Sequence, residues 1–520
     1  MPIPRGTKIL LWSLLAVGVV VAVACVYLLT VPAPLERWLQ GRMLLALQQH
    51  YQADVQLENL HVTLIPEFYA TADNFVLPNR CCSELPPLIT VKHLAVRASI
   101  FDLLRSPVHL GVVKLDGMEI KVASKGRRRD EADSPASSKP RKHTRLANFI
   151  IDRVQAGGTM LYILRKDPTQ EPMLFELRKL ALRSAGVGEP MTFTAELTNP
   201  TPPGLIQTKG RFGPWNFDEP SATKVDGSYD FQHADLSVFN GISGILSSVG
   251  DYTGALNDIV VDGTTDVPDF QLDRGGQPVH LTTKFHAVVD GTNGNTYLQP
   301  VNAHFLNTDI VTNGQVAGQK GKKGKTISLD VSMQKAYVQD VLALASKATP
   351  PMLTGQMTLQ AKLVLPPGHD PVLQKMQLNG QFSITDTRFT HPKMKDALAQ
   401  LSRRGQGKPD DTSITDVASD FRGDFTLRHS SLTFASLQFV EPGAAAQVKG
   451  SYGLASGDLN FVGDVRLDAK VSQTMTGAKH ILLAPFDPLF NKHGAGTWLP
   501  IEVSGTRDKP DIKLQWKKLF

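Results

Sequence analysis

The feature that most constrains this chain is an alternation of apolar and polar residues, which runs with few interruptions from about residue 53 onward in a sequence of 520 residues. Between residues 459 and 471, for example, apolar side chains or glycine occupy every second position, and mostly polar residues stand between them. A period of two places the two sets on opposite faces of a β-strand. The pattern therefore predicts a mostly β protein whose antiparallel sheet has one apolar and one polar face.

Breakers and turn dipeptides fit the same interpretation. The chain contains 42 Gly and 34 Pro, too many for a helical bundle or a coiled coil. Hairpin turns are predicted at Asp116-Gly117, Asp262-Gly263, Asn293-Gly294, Asn313-Gly314 and Asn379-Gly380. Helical spacing predicts only a few short helices after the N-terminal region, at residues 336–347, at 393–403 and around 236–249.

The N-terminal segment differs from the rest. Residues 9–31 carry no charge and are long enough to cross a bilayer core of about 30 Å as a helix. Arg5 and Lys8 precede this segment, and the positive-inside rule then places the N-terminus in the cytoplasm and the remainder across the membrane. The predicted anchor residues are Ile9, Leu15, Val20, Val26, Leu29 and, at the membrane surface, Trp38 in a helix over residues 34–51.

A cleaved signal sequence is the alternative for the same segment. Ala22-Val23-Ala24-Cys25 resembles both a signal-peptidase site and a poor lipobox. Apolar residues continue to Leu29, beyond the point where a mature lipoprotein turns polar, which favours an uncleaved anchor. The chain has only 3 Cys, which excludes a disulfide framework.

The remaining sequence divides by composition. We predict a cytoplasmic tail (1–8), the transmembrane helix (9–31), an N-terminal β region with a leading helix (32–123), a disordered basic linker (124–145), a middle β region (146–230) and a C-terminal β region (231–520). The basic linker is either a solvated loop or a contact for anionic lipid head groups.

No motif with catalytic or metal-binding spacing was found. The 14 His are scattered, and no Gly-x-Ser-x-Gly elbow occurs. Residues 318–326 (GQKGKKGKT) lack the first glycine of a phosphate-binding loop and predict a basic hairpin turn. Residues 290–296 (DGTNGNT) lack the spacing of a calcium loop and predict a type I′ turn. We therefore expect a protein that is not an enzyme and has no cofactor or metal, and a net charge of +6 gives no basis for nucleic-acid binding.

The apolar face of the predicted sheet must be covered by something. Two sheets could pack as a sandwich, one sheet could close as a barrel, or a long sheet could curl into a trough whose apolar lining suits acyl chains. The residues predicted to line such a groove are Phe285, Ala287, Val289, Ile327, Leu329, Val331, Leu359, Leu363, Leu459, Phe461, Val465 and Leu467.

Several segments resemble the AsmA family of bacterial envelope proteins. They are residues 261–270 (VDGTTDVPDF), 284–298 (KFHAVVDGTNGNTYL), 439–452 (FVEPGAAAQVKGSY) and 486–512 (FDPLFNKHGAGTWLPIEVSGTRDKPDI). The likeness is best over residues 230–520 and includes the order of anchor, short helix and long β-rich region. It implies an elongated, curved antiparallel β-groove of the kind found in bridge-type lipid transfer proteins.

The resemblance also implies a function and a location. It predicts a single-pass protein of the bacterial inner membrane, mostly periplasmic, that binds phospholipid acyl chains and contributes to phospholipid transport and outer-membrane homeostasis. A stack of strands would need about forty to fifty members to span a periplasm of about 200 Å, so oligomers or envelope partners are expected. The alternatives are an assembly factor for outer-membrane proteins, which would hold them by strand addition, and a structural tether without lipid cargo.

Overall fold

The structure is a computed structural model that describes residues 41, 55–63, 67–79, 85–103, 108–123, 149–164, 171–186, 190–214, 216, 219–272, 276–319, 324–476, 484–491, 494–507 and 509–515. Strands dominate these residues, and twenty-four strands are described. The chain divides into two compact units, and the division runs through strands of the middle region. The prediction of a mostly β fold with few helices is confirmed.

Unit 1 contains the first seven strands apart from the last residue of β7. They are β1 (Gln56–Thr63), β2 (Phe68–Leu77), β3 (Ile89–Ala98), β4 (Val108–Ala123), β5 (Phe149–Leu164), β6 (Met173–Gly186) and β7 (Met191–Pro200). Each pairs with the next along the chain. The core of this unit is a buried cluster that includes Val62, Ala70, Val96, Val113 and Val154.

One pair in unit 1 departs from the predicted antiparallel pattern. β4 and β5 run parallel over their full lengths, with Val108 opposite Phe149 and Ala123 opposite Leu164. Ala123 ends β4 and Phe149 begins β5, and the predicted basic linker lies between them in the sequence. Because the two strands run parallel, these residues lie at opposite ends of the strand pair. Alternation identifies a strand but not the direction of its partner, so the sequence pattern could not show this exception.

Four strands connect the two parts of the chain in sequence. They are β8 (Pro203–Phe212), β9 (Lys224–Asp235), β10 (Ile242–Ser243) and β11 (Ile245–Ala255). The helix predicted around residues 236–249 is wrong, because only a 3-10 turn (Leu236–Val238) precedes β10 and β11. Gly241 and Gly244 adopt positive φ angles of 106° and 133°, which interrupt any helix at this point.

Unit 2 holds the remaining strands in a regular antiparallel series, in which each strand pairs with the next along the chain. They are β12 (Asp258–Leu272), β13 (Val279–Asp290), β14 (Asn295–Phe305), β15 (Thr308–Gly318), β16 (Lys325–Tyr337), β17 (Leu353–Leu365), β18 (Gln377–Phe389), β19 (Ser419–Arg428), β20 (Ser431–Glu441), β21 (Ala444–Gly453), β22 (Leu459–Leu467), β23 (Thr497–Thr506) and β24 (Lys509–Leu514).

The described helices are short. They are α1 (Ile100–Leu103), α2 (Val338–Ala345), α3 (Val372–Lys375), α4 (Pro392–Gly405) and α5 (Asp487–Phe490), with 3-10 turns at Pro220–Ala222, Leu236–Val238, Val471–Thr474 and Ala484–Phe486. α2 and α4 confirm the helices predicted at 336–347 and 393–403. α2 follows β16 directly, and its Val341 and Leu342 pack on a cluster that contains Ala336 and Met357.

Most of the predicted turn dipeptides are wrong. Asp116-Gly117, Asp262-Gly263, Asn313-Gly314 and Asn379-Gly380 lie inside β4, β12, β15 and β18. Glycine is needed there because neighbouring atoms come too close for a side chain: a Cβ on Gly314 would overlap the carbonyl oxygen of Ser328 on the adjacent strand.

Asn293-Gly294 does lie in a hairpin, between β13 and β14, but not in a two-residue turn. The Gly294 amide donates to the Asp290 carbonyl oxygen at 2.6 Å, and Asp290 pairs with Asn295 across a four-residue loop. The Asp290 carboxylate accepts from the Thr292 amide and hydroxyl and from the Asn293 side chain. This Asx turn accounts for the oxygen-rich residues 290–296. At the predicted basic turn, Gly318 of β15 pairs with Lys325 of β16, and residues 320–323 lie outside the described part of the chain.

Some predictions fall outside the described residues. They concern the anchor at residues 9–31 with its five named residues, almost all of the helix at 34–51 including Trp38, the linker at 124–145, and the cysteines. In the described ranges, no helix is both long and apolar enough to cross a bilayer.

Candidate functional site

The strand register of unit 2 defines an apolar face. Residues paired across neighbouring strands point to the same side of a sheet, so consecutive pairs can be followed as a row from strand to strand. One such row crosses all thirteen strands from β12 to β24 without a charged residue. Its members are Gly263, Phe285, Val301, Thr312, Val331, Ala361, Gly380, Phe425, Phe434, Gly450, Phe461, Val503 and Ile512.

A second row on the same side crosses eleven strands. It consists of Val261, Ala287, Leu298, Gly314, Leu329, Leu363, Leu378, Leu427, Leu432, Tyr452 and Leu459. These rows and the side chains at alternate positions beside them are called the apolar face below.

The opposite side of the same strands is polar. The row next to the leucine-rich one on that side consists of Asn313, Asp330, Lys362, Asn379, Thr426, Thr433, Ser451 and Asn460. Three histidine–aspartate pairs add to this polar face, and in one of them His286 Nδ1 lies 2.8 Å from Asp262 Oδ1. Three or more His, Cys, Asp or Glu side chains arranged to hold a metal ion are not found among the described residues.

All twelve residues predicted to line a groove lie on the apolar face. Phe285, Val331 and Phe461 belong to the first row, and Ala287, Leu329, Leu363 and Leu459 to the second. Val289, Ile327, Leu359, Val465 and Leu467 occupy alternate positions of the same strands. The period of two therefore places all twelve side chains on one face of the sheet.

Burial along the apolar face is incomplete. Nine of the twelve predicted residues are only half-buried, and the exceptions are Ala287, Phe461 and Leu467. In a sandwich or a closed core, leucine and phenylalanine side chains in the middle of a sheet would be covered by a second layer. In unit 1, by contrast, Val62, Ala70, Val96, Val113 and Val154 form a row on which every side chain is buried.

An aromatic cluster on the apolar face was not predicted from the sequence. Its rings form two contact groups with centroid distances of 4.9–6.2 Å, one of Phe389, Phe421 and Phe439 and the other of Phe382, Phe425, Phe434 and Phe461. Phe421, Gly423 and Phe425 do alternate in sequence, which could have revealed part of it. In β20, however, Ala435 is an extra residue in a bulge, so Phe434 and Leu437 share a face although three positions separate them.

Helices lie at one end of the strands in unit 2. α2 and α4 follow the ends of β16 and β18 at which the apolar face reaches Ala336 and Thr387. The Ser402 hydroxyl of α4 donates to the carbonyl oxygen of Pro442 in the β20–β21 turn, and the Gly405 carbonyl oxygen accepts from the Ala469 amide. This end of the apolar face is therefore held by polar contacts from α4.

The last row before α4 contains buried polar groups. Thr387 pairs with Ser419, and Glu441 pairs with Ala444, which in turn pairs with Leu467. Ser419 and Glu441 are the next residues beyond the pair Asp420–Val440, so they are adjacent on neighbouring strands. Thr387, Ser419 and Glu441 are 0%, 1% and 4% exposed, and their side-chain oxygens have no hydrogen-bond partner within the described part of the chain. Burial raises the pKa of the Glu441 carboxyl to about 7.

Comparisons of the chain with protein-family models, with curated proteins and with solved structures found no match. The resemblance to the AsmA family therefore stays a prediction from the quoted segments.

Proposed function

We propose that this chain is an inner-membrane-anchored periplasmic protein whose apolar face binds phospholipid acyl chains, without catalysis, and so contributes to phospholipid transport and outer-membrane homeostasis. The observation that carries this proposal is the apolar row that crosses thirteen strands of unit 2. Most of the twelve predicted groove residues on this face are only half-buried.

The physical argument concerns what such a face does in water. Contiguous apolar surface of this extent is a binding site or an aggregation hazard when nothing covers it. An acyl chain is a suitable occupant because it has no polar groups to satisfy and gains about 0.8 kcal/mol for each buried methylene group. A chain of ordinary length then gains several kcal/mol, which offsets much of its loss on leaving a bilayer.

The anchor and the curved groove belong to the same proposal. A helix over residues 9–31 would hold the β region beside the membrane that supplies lipid, and a curved sheet would let the apolar face surround the acyl chains while head groups lie at the edge of that face. The resemblance to the AsmA family supports both features. The twenty-four described strands are fewer than the roughly forty to fifty needed to span a periplasm, so the proposal includes further copies or other envelope proteins as partners.

A matched pair of valines on β22 provides the test. Val465 lies on the apolar face and pairs with Ala446, whereas Val462 lies on the polar face and pairs with Lys449, and both are half-buried. A photoreactive benzoylphenylalanine is placed at either position in the full-length chain, the cells are irradiated, and adducts on the β22 peptide are identified by mass spectrometry. We expect phospholipid adducts at position 465 and none at position 462.

Each other outcome contradicts lipid binding on this face. Adducts of outer-membrane protein precursors at position 465 would identify an assembly factor. Adducts of other envelope proteins alone would identify a tether. Intrachain adducts alone would mean that the apolar face packs against another part of the same protein.

A further inference from the structure

We propose that Thr387, Ser419 and Glu441 bind the primary ammonium group of an aminophospholipid whose acyl chains lie on the neighbouring apolar face. This inference rests on the proposed function and adds a head-group class to it. The site is the row of three adjacent strands, β18, β19 and β20, at the end of the apolar face nearest α4.

The geometry brings three acceptors together. Thr387 of β18 pairs directly with Ser419 of β19. Ser419 and Glu441 lie one residue beyond the last pair of β19 and β20, so they are adjacent on these two strands. Neighbouring strands lie about 4.8 Å apart, so Ser419 lies between Thr387 and Glu441 on one side of the sheet. All three side chains are more than nine-tenths buried, and none of their oxygens is hydrogen-bonded within the described residues. Buried oxygens of this kind require a donor.

The chemistry of the row selects an ammonium group. A primary ammonium has three N–H donors and one positive charge, which match two hydroxyl oxygens and one carboxylate. A phosphate would be repelled by ionised Glu441. A divalent cation such as Ca²⁺ takes six to eight oxygen ligands, typically from several carboxylates, and this row has one carboxylate.

The charged groups nearby do not supply the missing partner. Burial alone raises the pKa of Glu441, and none of the charged side chains described contributes to that shift. On the packed elements, Arg403 donates through Nη1 to the Ile414 carbonyl oxygen, and Asp487 accepts from the Ser472 amide and hydroxyl. Arg403 Nε is buried and makes no hydrogen bond within the described residues. The other charged side chains of α4 and of the strand ends beside the row are exposed, and they are Lys393, Lys395, Asp396, Arg404, Asp386, Arg388, Asp420, Asp468 and Lys470.

The position of the row identifies a lipid as the source of the ammonium group. The next row inward holds Phe421 and Phe439, paired with each other and with Ile384 and Ala446. A lipid with its tails on these rings has its head group at Glu441. A free amine gains nothing from the aromatic rows, whereas an aminophospholipid uses both parts of the site.

The test compares two lipids that differ only in the head group. The full-length chain is reconstituted with phosphatidylethanolamine and phosphatidylglycerol in equal amounts, both carrying the same photoreactive acyl chain. Cross-links to the peptides of β19 and β20 are counted by mass spectrometry. One charge-assisted hydrogen-bonded contact predicts about a tenfold excess of phosphatidylethanolamine adducts in the wild type.

Substitution of the carboxylate should remove that excess. We expect Glu441→Gln to bring the adduct ratio close to one without reducing total adducts, and Ser419→Ala with Thr387→Val to reduce the ratio partly. Glu502→Gln, on the polar face of β23, is the matched control and should leave the ratio unchanged. Lowering the pH from 8 to 6 should also reduce the excess in the wild type, because protonated Glu441 carries no charge.

The outcomes separate this inference from the proposed function. Absence of adducts from either lipid in the wild type overturns the proposed function itself. Adducts with a ratio near one, or an excess that survives Glu441→Gln, overturn only the ammonium site. Loss of the excess when free ethanolamine is added at no more than the lipid concentration would assign the site to free amines, because the acyl chains would then add no affinity, and it would overturn the lipid head group as its ligand.

Discussion

Phe421 and Phe439 face each other across β19 and β20, with their ring centroids 4.9 Å apart on the apolar face. The planes are tilted by 50°, and Phe389 approaches Phe421 with a centroid distance of 6.2 Å. Neither ring of the closer pair is fully buried. The pair therefore stabilises the sheet and also leaves apolar ring surface accessible on this face.

The first prediction concerns this pair. A tilted aromatic pair contributes about 1 kcal/mol beyond the area that it buries. A double-mutant cycle of Phe421→Leu and Phe439→Leu should therefore give a coupling energy of about 1 kcal/mol. The free energy of opening is measured by hydrogen exchange in the β19 and β20 peptides of lipid-free protein. Additive effects of the two substitutions would contradict a direct ring contact.

The second prediction separates surface from core on β22. Leu467 is 5% exposed and pairs with buried Ala444 and Thr497, whereas Val465 two residues earlier is half-buried. An aspartate at position 467 must be buried without a partner, which costs several kcal/mol. Leu467→Asp should therefore lower the free energy of unfolding by about 3 kcal/mol, and Val465→Asp by about 1 kcal/mol. Urea titration followed by hydrogen exchange of β21–β23 measures both, and equal losses would mean that Val465 is also a core residue.

The third prediction concerns a glycine inside a strand. Gly314 has φ of 154°, and a Cβ there would overlap the Ser328 carbonyl oxygen. Gly314→Ala should destabilise the protein by at least about 2 kcal/mol, because the strands must separate to admit the methyl group. Gly368 provides the control, since it has a comparable φ of 130° and open space around its Cα. Thermal unfolding of the two variants compares them, and similar melting temperatures would show that the overlap has no cost.

Gly314 shows why the sequence predicts which side chains share a face of the sheet but does not predict where the turns lie. Period-two alternation survives within the segments of β13, β16 and β22 that carry the predicted residues, because the register there is regular. Asn313-Gly314 has the composition of a turn, but its role depends on the strand beside it, which local sequence does not specify. The bulge at Ala435 and the parallel pairing of β4 with β5 depend on tertiary contacts in the same way.

Glu441 was missed for a related reason. In sequence it is an acidic residue beside Pro442 and Gly443, which is typical of an exposed turn. It is buried because it ends the apolar alternation of β20, where α4 packs on the β20–β21 turn. Only the long-range contact between Ser402 and Pro442 reveals this environment.

The fourth prediction tests the anchor. An arginine in the middle of a transmembrane helix raises the free energy of membrane insertion by about 3 kcal/mol, and a second arginine adds to this cost. Replacing Leu15 and Val20 with arginine should move the full-length chain from the carbonate-resistant membrane fraction to the soluble fraction. Gln52→Arg, outside the predicted span, is the control and should stay with the membrane. Retention of the double variant in the membrane would mean that residues 9–31 are not its anchor.

The fifth prediction follows from the buried carboxyl of Glu441, whose pKa is raised from 4.5 to about 7 by burial. Between these two values the folded state holds a proton that the unfolded state has lost, so stability falls as the pH rises through this window. The difference between the two pKa values corresponds to about 3 kcal/mol of stabilisation of the folded state. This stabilisation is fully present below pH 4.5 and is lost above pH 7. Glutamine cannot ionise, so Glu441→Gln should gain stability relative to the lipid-free wild type as the pH rises from 5 to 8.

Urea unfolding of both proteins at pH 5 and pH 8 measures that change, with Glu502→Gln as an exposed carboxyl control from the polar face. The control should follow the wild type at both values, because Glu502 is exposed on the polar face and lies away from the buried row. A constant difference between Glu441→Gln and the wild type across this range would mean that Glu441 is ionised and compensated in the folded protein. In that case another positive group would already pair with Glu441 in the lipid-free protein, and the row of Thr387, Ser419 and Glu441 could not select an ammonium head group.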